Sequence, residues 1–361
     1  MTTWRKSHIV WAASAVMFPL TFGASLTPDA LADFFSFWFA GHAISYPALY
    51  SEPALTALAR QSYPAANHIN WLYPPPTLFV FGALARLPLT LAFAVWNGVT
   101  AVLFYLAARP YMPSSVPKIL AVLTPAAIAN IYFGQFGLLM GALWLWAFRC
   151  KPWAAALLTI KPHIALLAAI PTFSRQKLAF QTAAILVVLV AVSAAAFGLD
   201  VWQGYLAQIL HQGNLLGHGG LASWVVYGVT PMIGYPAWAW LLFAAAAAYL
   251  LSWNFNVFTA ATATFLISPY GFGYDMPVVC LGFGLMLSVN WTEMDGGERL
   301  LATLAFLAPV LTRFGTWWIP FVLLLGLWVQ VRIQRPALGF RIGTGRKSLF
   351  AFLPTAKVRS E

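Results

Sequence analysis

The sequence predicts an all-α polytopic membrane protein, a single bundle of about ten to twelve transmembrane or re-entrant helices. Three observations lead there. Of the 361 residues, 61% are hydrophobic and only 8% are charged, where a soluble domain carries about a quarter charged residues, so lipid has to be the main solvent. The apolar residues fall into runs comparable to the roughly 17–25 residues of helix that cross a hydrocarbon core. Those runs are continuous and lack the apolar/polar alternation of a barrel strand.

The first run, 8–27, follows Arg5 and Lys6 and reads as an uncleaved span. Ala30-Leu31-Ala32 resembles a signal-peptidase site, and cleavage there would leave Asp33 first, but the apolar run from Ile9 to Leu26 is long for a signal core. Residues 29–73 are the longest polar stretch, ADFFSFWFAGHAISYPALY followed by SEPALTALARQSYPAANHINWLYPPP. This mixture of aromatic and polar side chains suits an outer loop with short helices lying at the interface. Further apolar segments run over 75–88, 90–108, 117–133, 135–149, 152–172, 177–198, 223–252, 255–269, 275–290, 299–313 and 317–333.

Two of these segments read as incomplete spans. Segment 75–88 is short and bounded by Pro74-Pro75-Pro76 and Pro88, which suits a half-helix or re-entrant element. Segment 152–172 is interrupted by Lys161-Pro162-His163 and carries basic residues at both ends, so it is expected to turn back midway, buried in protein. The stretch 199–222, with Asp200, His211, Asn214 and His218, reads as a second outer loop, either a plain connector or a cover for substrate. No composition break or internal repeat divides the chain, so 1–334 is expected to be one membrane domain and 335–361 a basic tail.

Twenty Lys and Arg stand against nine Asp and Glu, a net charge of +11. In a soluble protein that excess would suit nucleic acid, but here the cations cluster at segment ends, and no nucleic-acid partner is expected. Arg5/Lys6, Arg109/Lys118, Arg149/Lys151, Arg175/Lys177 and the tail group Arg332, Arg335, Arg341, Arg346, Lys347, Lys357 and Arg359 place those ends, and the C-terminus, in the cytoplasm. The tail stretch GTGRKS misses the Walker spacing and is discarded as a phosphate loop. Cys150 and Cys280 are too few for a disulfide framework or a thiolate metal site and read as small apolar residues.

With only nine acidic residues, each can be weighed singly. Asp29 and Asp33 lie just beyond the first span, and Asp200 and Asp275 lie at other outward ends. Glu52 and Glu361 look peripheral, and Glu293, Asp295 and Glu298 are expected to be solvated in the turn WTEMDGGERL. Asp33 is followed by Phe34-Phe35, which sets a carboxylate against an apolar surface; burial there would raise its proton affinity as a general base requires, while a helix N-cap is the competing reading. Lys161 and His163 are costly at membrane depth and must be functional or paired inside the bundle. Gln135, at a helix-to-helix turn, suits either a sugar hydroxyl or exposed backbone, and Tyr73-Pro74-Pro75 stiffens the approach to the next segment.

Five stretches, ADFFSFWFAGHAISYPALY at 32–50, LYPPPTLFVFGALARLPLTLAFAVWN at 72–97, FGQFGLLMGALW at 133–144, IKPHIALL at 160–167 and SPYGFGYDMPV at 268–278, follow one another in an order that resembles glycosyltransferase family 87. That family comprises the polyprenol-phosphate-mannose-dependent mannosyltransferases and their relatives in the GT-C superfamily. The resemblance implies a GT-C-type bundle in the inner or plasma membrane, an active site on the outer, periplasmic face, and Asp33 as catalytic base in an inverting transfer. It further implies a hexose donor, mannose foremost, on a polyprenyl-phosphate carrier, and a glycolipid or glycan of the cell envelope as acceptor.

A carrier monophosphate bears less charge than a nucleotide diphosphate, so a metal ion is not obligatory; no acidic pair or His cluster shows ligand spacing, and no cofactor is expected. Some relatives carry a histidine after the SP motif, where this chain has Tyr270 and Tyr274-Asp275. The substrate-binding candidates are therefore His42, Arg60, His68, Tyr73, Gln135, Lys161, His163, Tyr270, Tyr274 and Asp275. For the donor phosphate the candidates are His68, Arg60, Lys161 and His163; location in the outer loop favours His68 and Arg60, against a reading of both as ordinary surface residues. A transporter or flippase of a lipid-linked sugar is the rival reading, and it calls for buried charges along a path and related halves, neither of which the sequence displays. A non-catalytic scaffold would leave the carboxylate and aromatic outer loop without a purpose.

Overall fold

The computed structural model describes residues 32–46, 48–217, 237–268, 271–311 and 317–334. The expected first span at 8–27 and the basic tail at 335–361 lie outside the described residues. Among the described residues every regular element is a helix and there is no strand. In order these are α1 (Ala32–His42), α2 (Glu52–Arg60), α3 (Leu78–Leu84), α4 (Leu89–Ala108), α5 (Pro125–Phe133), α6 (Gly137–Ala147), α7 (Pro152–Leu157), α8 (Pro162–Ala165) and α9 (Ala169–Phe173). They continue with α10 (Gln176–Phe197), α11 (Leu199–Gly217), α12 (Ala237–Trp253), α13 (Val257–Ile267), α14 (Pro277–Val289), α15 (Gly296–Leu311) and α16 (Ile319–Ile333), with short 3₁₀ turns between several of them.

Proline punctuates the chain. Pro53, Pro125, Pro152, Pro162, Pro277 and Pro320 each stand in the first turn of their helix. A missing N–H costs nothing there, and the fixed φ suits the helix. Pro125 and Pro162 interrupt apolar runs in this way, at 117–133 and 152–172. Among the described residues two helical stretches, Leu89–Tyr111 and Gln176–Phe197, are long and apolar enough to cross a membrane. Others, such as Pro75–Leu84, Gly137–Ala147, Pro277–Val289 and Ile319–Ile333, are apolar but shorter. The interrupted segment 152–172 resolves into α7, α8 and α9 joined by 3₁₀ turns at Leu158–Ile160 and Leu166–Ala168.

The expected loop at 199–222 is corrected by helix α11 over Leu199–Gly217. Its polar composition hides a helical stripe: Val201, Trp202 and Tyr205 turn inward, with Tyr205 buried, while Leu206 and Leu210 stay exposed. Tyr205 packs against Tyr50 with ring centroids 5.7 Å apart, and the Trp202 indole N–H donates to Ser193 Oγ at 3.2 Å.

The solvated-turn expectation also fails for Glu298, which is buried. Asp295 and Glu298 cap each other at the start of α15: the Glu298 N–H donates to Asp295 Oδ1 at 2.9 Å and the Asp295 N–H to Glu298 Oε2 at 3.0 Å. That geometry turns the Glu298 carboxylate inward, where Arg332 from the last turn of α16 pairs with it. Arg332 thus serves as an interhelical partner rather than as part of a solvated tail.

Two packed groups make up the body. One gathers α13, α14, α15 and α16 around Phe258, Phe265, Phe283 and Phe306. The other sets α1 on α3 and α4 on α6, around an aromatic cluster of Phe34, Phe37, Trp71, Tyr73, Phe81, Trp96 and Phe136. Phe37 meets Tyr73 and Phe136 edge-on at 5.3 and 5.5 Å, and Phe81 lies 5.0 Å from Trp96. Burying this many rings in contact makes α1 an integral wall of the core, and it fixes the position of the residue at its start.

Candidate active site

Asp33 lies in the first turn of α1, and Phe34 directly after it is wholly buried. Opposite stands the turn between α5 and α6. Gly134 there adopts φ +63°, a left-handed conformation that reverses the chain at no steric cost. A Cβ at Gly134 would come within 2.8 Å of Phe34 Cβ and of the Phe93 ring, so glycine also lets α1 approach. The Trp96 indole N–H donates to the Gly134 carbonyl at 2.9 Å and pins the turn.

This approach aligns Gln135 with Asp33. The Gln135 Nε2 donates to Asp33 Oδ2 at 2.8 Å, and its Oε1 accepts from the Tyr73 hydroxyl at 3.3 Å. With its oxygen engaged by a donor, the amide presents its N–H to the carboxylate. Tyr73 is itself fixed: its ring stacks on Phe136 at 4.0 Å, and its carbonyl accepts from the Tyr50 hydroxyl at 2.8 Å.

Lys161 enters from the other side. The proline at 162 disfavours helical geometry in the residue before it, and Lys161 takes φ −131°, ψ 77°, between the 3₁₀ turn and α8. Its Nζ lies 2.8 Å from Asp275 Oδ1 and sits over the rings of Tyr73 and Tyr274, at 5.8 and 5.3 Å from their centroids. Asp275 ends a 3₁₀ turn, Gly273–Asp275, that rests on α6: a Cβ at Gly137 would fall 1.7 Å from the Tyr274 carbonyl oxygen, so only glycine permits the contact. Asn130 Nδ2 donates to that same carbonyl at 3.4 Å. Asp275 lines a small, mostly apolar cavity together with Met140, Trp144, Ile164, Phe265 and Val278.

Asp33 keeps part of its surface exposed while its carboxyl group is enclosed by neighbouring side chains. That burial pushes the carboxyl above the ordinary carboxylate range, and the Gln135 hydrogen bond and the Lys161 charge only partly oppose it. The group is chemically matched to accept a proton from a hydroxyl.

Of the sequence candidates, the structure brings together Asp33, Tyr73, Gln135, Lys161, Tyr274 and Asp275. His163 stands partly buried on α8, two residues beyond Lys161. His42 is exposed, its ring against Trp38 at 4.3 Å. Arg60 spends its donors on its own loop, at 2.9 Å to the Ala66 carbonyl and 2.8 Å to Asn67 Oδ1. The His68 side chain is 82% exposed and pairs with Glu52 at 2.9 Å. His68 and Arg60 thus find their partners, Glu52 and Asn67, within the stretch between α2 and residue 68. Tyr270 lies outside the described residues.

Sequence reasoning missed Asn130 and Trp96, which hold the two turns that carry the site. The signal was present, since an amide and an indole N–H inside apolar segments need partners, but among uncharged side chains in those segments it was applied only to Gln135. Among the described residues no three His, Cys, Asp or Glu side chains gather as a metal ion would require.

No curated protein and no solved structure matches the chain. The model of glycosyltransferase family 87 matches residues 71–269, more than half of the 361 residues; this stretch holds Tyr73, Gln135, Lys161 and His163, with Asp33 and Asp275 outside it. The chain belongs to glycosyltransferase family 87 and is accordingly a glycosyltransferase.

Proposed function

We propose that this glycosyltransferase moves a hexose, mannose foremost, from a polyprenyl-phosphate carrier to a hydroxyl of a glycolipid or glycan at the outer face of the membrane. The reading rests above all on the Asp33 carboxylate, enclosed against an aromatic wall and oriented by Gln135 at 2.8 Å. Asp33 takes the proton of the acceptor hydroxyl as that oxygen bonds to the anomeric carbon. The bond from that carbon to the carrier phosphate breaks on the opposite face, its electron pair leaving with the phosphate, so the configuration inverts. An isoprenoid carrier suits a chain with so little charge, and α10 displays apolar side chains such as Phe180 and Val187 at 75% and 67% exposure, which lipid can cover. We read the chain as a multi-pass GT-C-type bundle, with α1 and α2 in an outer loop and the basic C-terminus in the cytoplasm.

The test incubates purified full-length protein with a panel of polyprenyl-phosphate sugars and an acceptor extract, and measures release of free polyprenyl phosphate. Release with at least one donor, reduced by about 10²–10⁴ in Asp33→Asn, is expected for loss of a general base. A folded protein that releases nothing from any donor, or an Asp33→Asn variant as fast as wild type, would overturn the reading.

A further inference from the structure

The Lys161–Asp275 pair is poorly explained as a strut. Its side chains are 9% and 0% exposed, and a buried ion pair of this kind gives a fold little that packed apolar residues would not. An optimised strut would also be saturated with hydrogen bonds. Among the described residues Asp275 Oδ2 is buried without a hydrogen-bond partner, and Lys161 makes a single hydrogen bond with its three N–H donors. The ammonium also sits over the rings of Tyr73 and Tyr274, which stabilise a cation without competing for an anion. Through Tyr73 and Gln135 this cation is joined to Asp33 by one run of contacts.

We propose that Lys161 is the group that meets the departing phosphate of the donor, and that Asp275 is its resting counter-ion, from which the ammonium turns when the phosphate arrives. The inference rests on the polyprenyl-phosphate reading above. Lys161 donates hydrogen bonds to the phosphate oxygens as they take up the electron pair of the broken bond. Asp275 holds the ammonium in place while no phosphate is bound, and competes with the phosphate for it.

The two charges then have opposite effects on phosphate binding, which a strut would not produce. Binding of a short-chain polyprenyl phosphate to the purified full chain in nanodiscs, with the matching polyprenol and phosphatidic acid as controls, reads this directly. Wild type is expected to prefer the polyprenyl phosphate to both controls. Lys161→Met is expected to weaken binding about tenfold to a hundredfold, the loss of one charge-assisted hydrogen-bonded contact, while Asp275→Asn binds at least as tightly as wild type. The double variant Lys161→Met/Asp275→Asn leaves no buried charge unpaired; it is expected to keep the wild-type unfolding temperature and to bind as weakly as Lys161→Met. Equal weakening in both single variants, or wild-type affinity in the folded double variant, overturns the proposal. Phosphatidic acid bound with the same dependence on Lys161 overturns its assignment to the donor. A wild type that does not distinguish polyprenyl phosphate from polyprenol instead removes the donor reading, and the proposal falls with it.

Discussion

Replacing Gln135 with leucine tests the site at its hinge. The substitution keeps an apolar body of similar length and removes two hydrogen bonds, one to Asp33 Oδ2 at 2.8 Å and one from the Tyr73 hydroxyl at 3.3 Å. A hydrogen bond to a charged group contributes about 1.5–3 kcal/mol, and 1.36 kcal/mol corresponds to about one pKa unit. Because the Gln135 bond favours the ionised carboxylate, its loss raises the Asp33 proton affinity further, and water reaching the partly exposed residue offsets part of the lost hydrogen-bond energy. A general base works only when ionised, so activity falls as pH drops through its pKa, and a higher pKa moves the acid limb of the profile to higher pH. The assay is kcat/KM for release of polyprenyl phosphate across the pH range, wild type beside Gln135→Leu. A limb that stays in place, or moves to lower pH, refutes the claim that Gln135 holds the ionised base. A role confined to packing would lower the plateau and leave the limb where it was.

Three further outcomes follow from the same geometry. Asp33→Asn should unfold at the wild-type temperature or above it: a carboxyl whose folded pKa is raised stabilises the fold only at low pH and loses that contribution as pH rises, so at neutral pH the buried charge is a burden that thermal unfolding of the variant should show relieved. Gly137→Ala puts a methyl 1.7 Å from the Tyr274 carbonyl, and should cost about 1–3 kcal/mol in denaturant unfolding while slowing transfer by displacing the turn that carries Asp275. Arg332→Met leaves Glu298 buried and without its cationic partner; since the Arg332 side chain is 47% exposed and water can reach the vacated position, the loss in stability should fall below the 3–5 kcal/mol typical of a fully buried pair, with glycosyl transfer unchanged in rate when measured well below the unfolding temperature.

The all-helical class was legible because it depends on composition and run length, which survive any error in boundaries. Helix lengths were less so: Pro125 begins α5 inside the apolar run 117–133, and segment 152–172, read as interrupted at Lys161-Pro162-His163, divides further into α7, α8 and α9. Helix α11 was missed because glutamine, histidine and glycine between its apolar positions lower the average that marks a segment, while the periodicity that forms the helix persists. Glu298 was misjudged by counting its charged neighbours; the reciprocal cap with Asp295 is a matter of three-residue spacing and was present in the sequence to be read.

The site presents a harder case, because its residues stand at positions 33, 73, 135, 161 and 274–275 and none is diagnostic alone. Asp33 could be singled out by the aromatic residues after it, but its partner could not, since an amide at a turn has many uses. Lys161 was ambiguous for a physical reason: a cation at membrane depth needs a counter-charge, and the sequence does not say which of nine acidic residues supplies it. The chain answers through backbone geometry. Proline at 162 forces Lys161 out of helical conformation, and glycine at 137 lets the Tyr274-Asp275 turn settle on α6. Neither proline nor glycine bears a functional group, yet together they bring a lysine and an aspartate 114 positions apart to 2.8 Å. In such a site the residues that determine where chemistry can occur are the ones that bend the chain, and substituting them should slow transfer by displacing reactive groups that the sequence still contains.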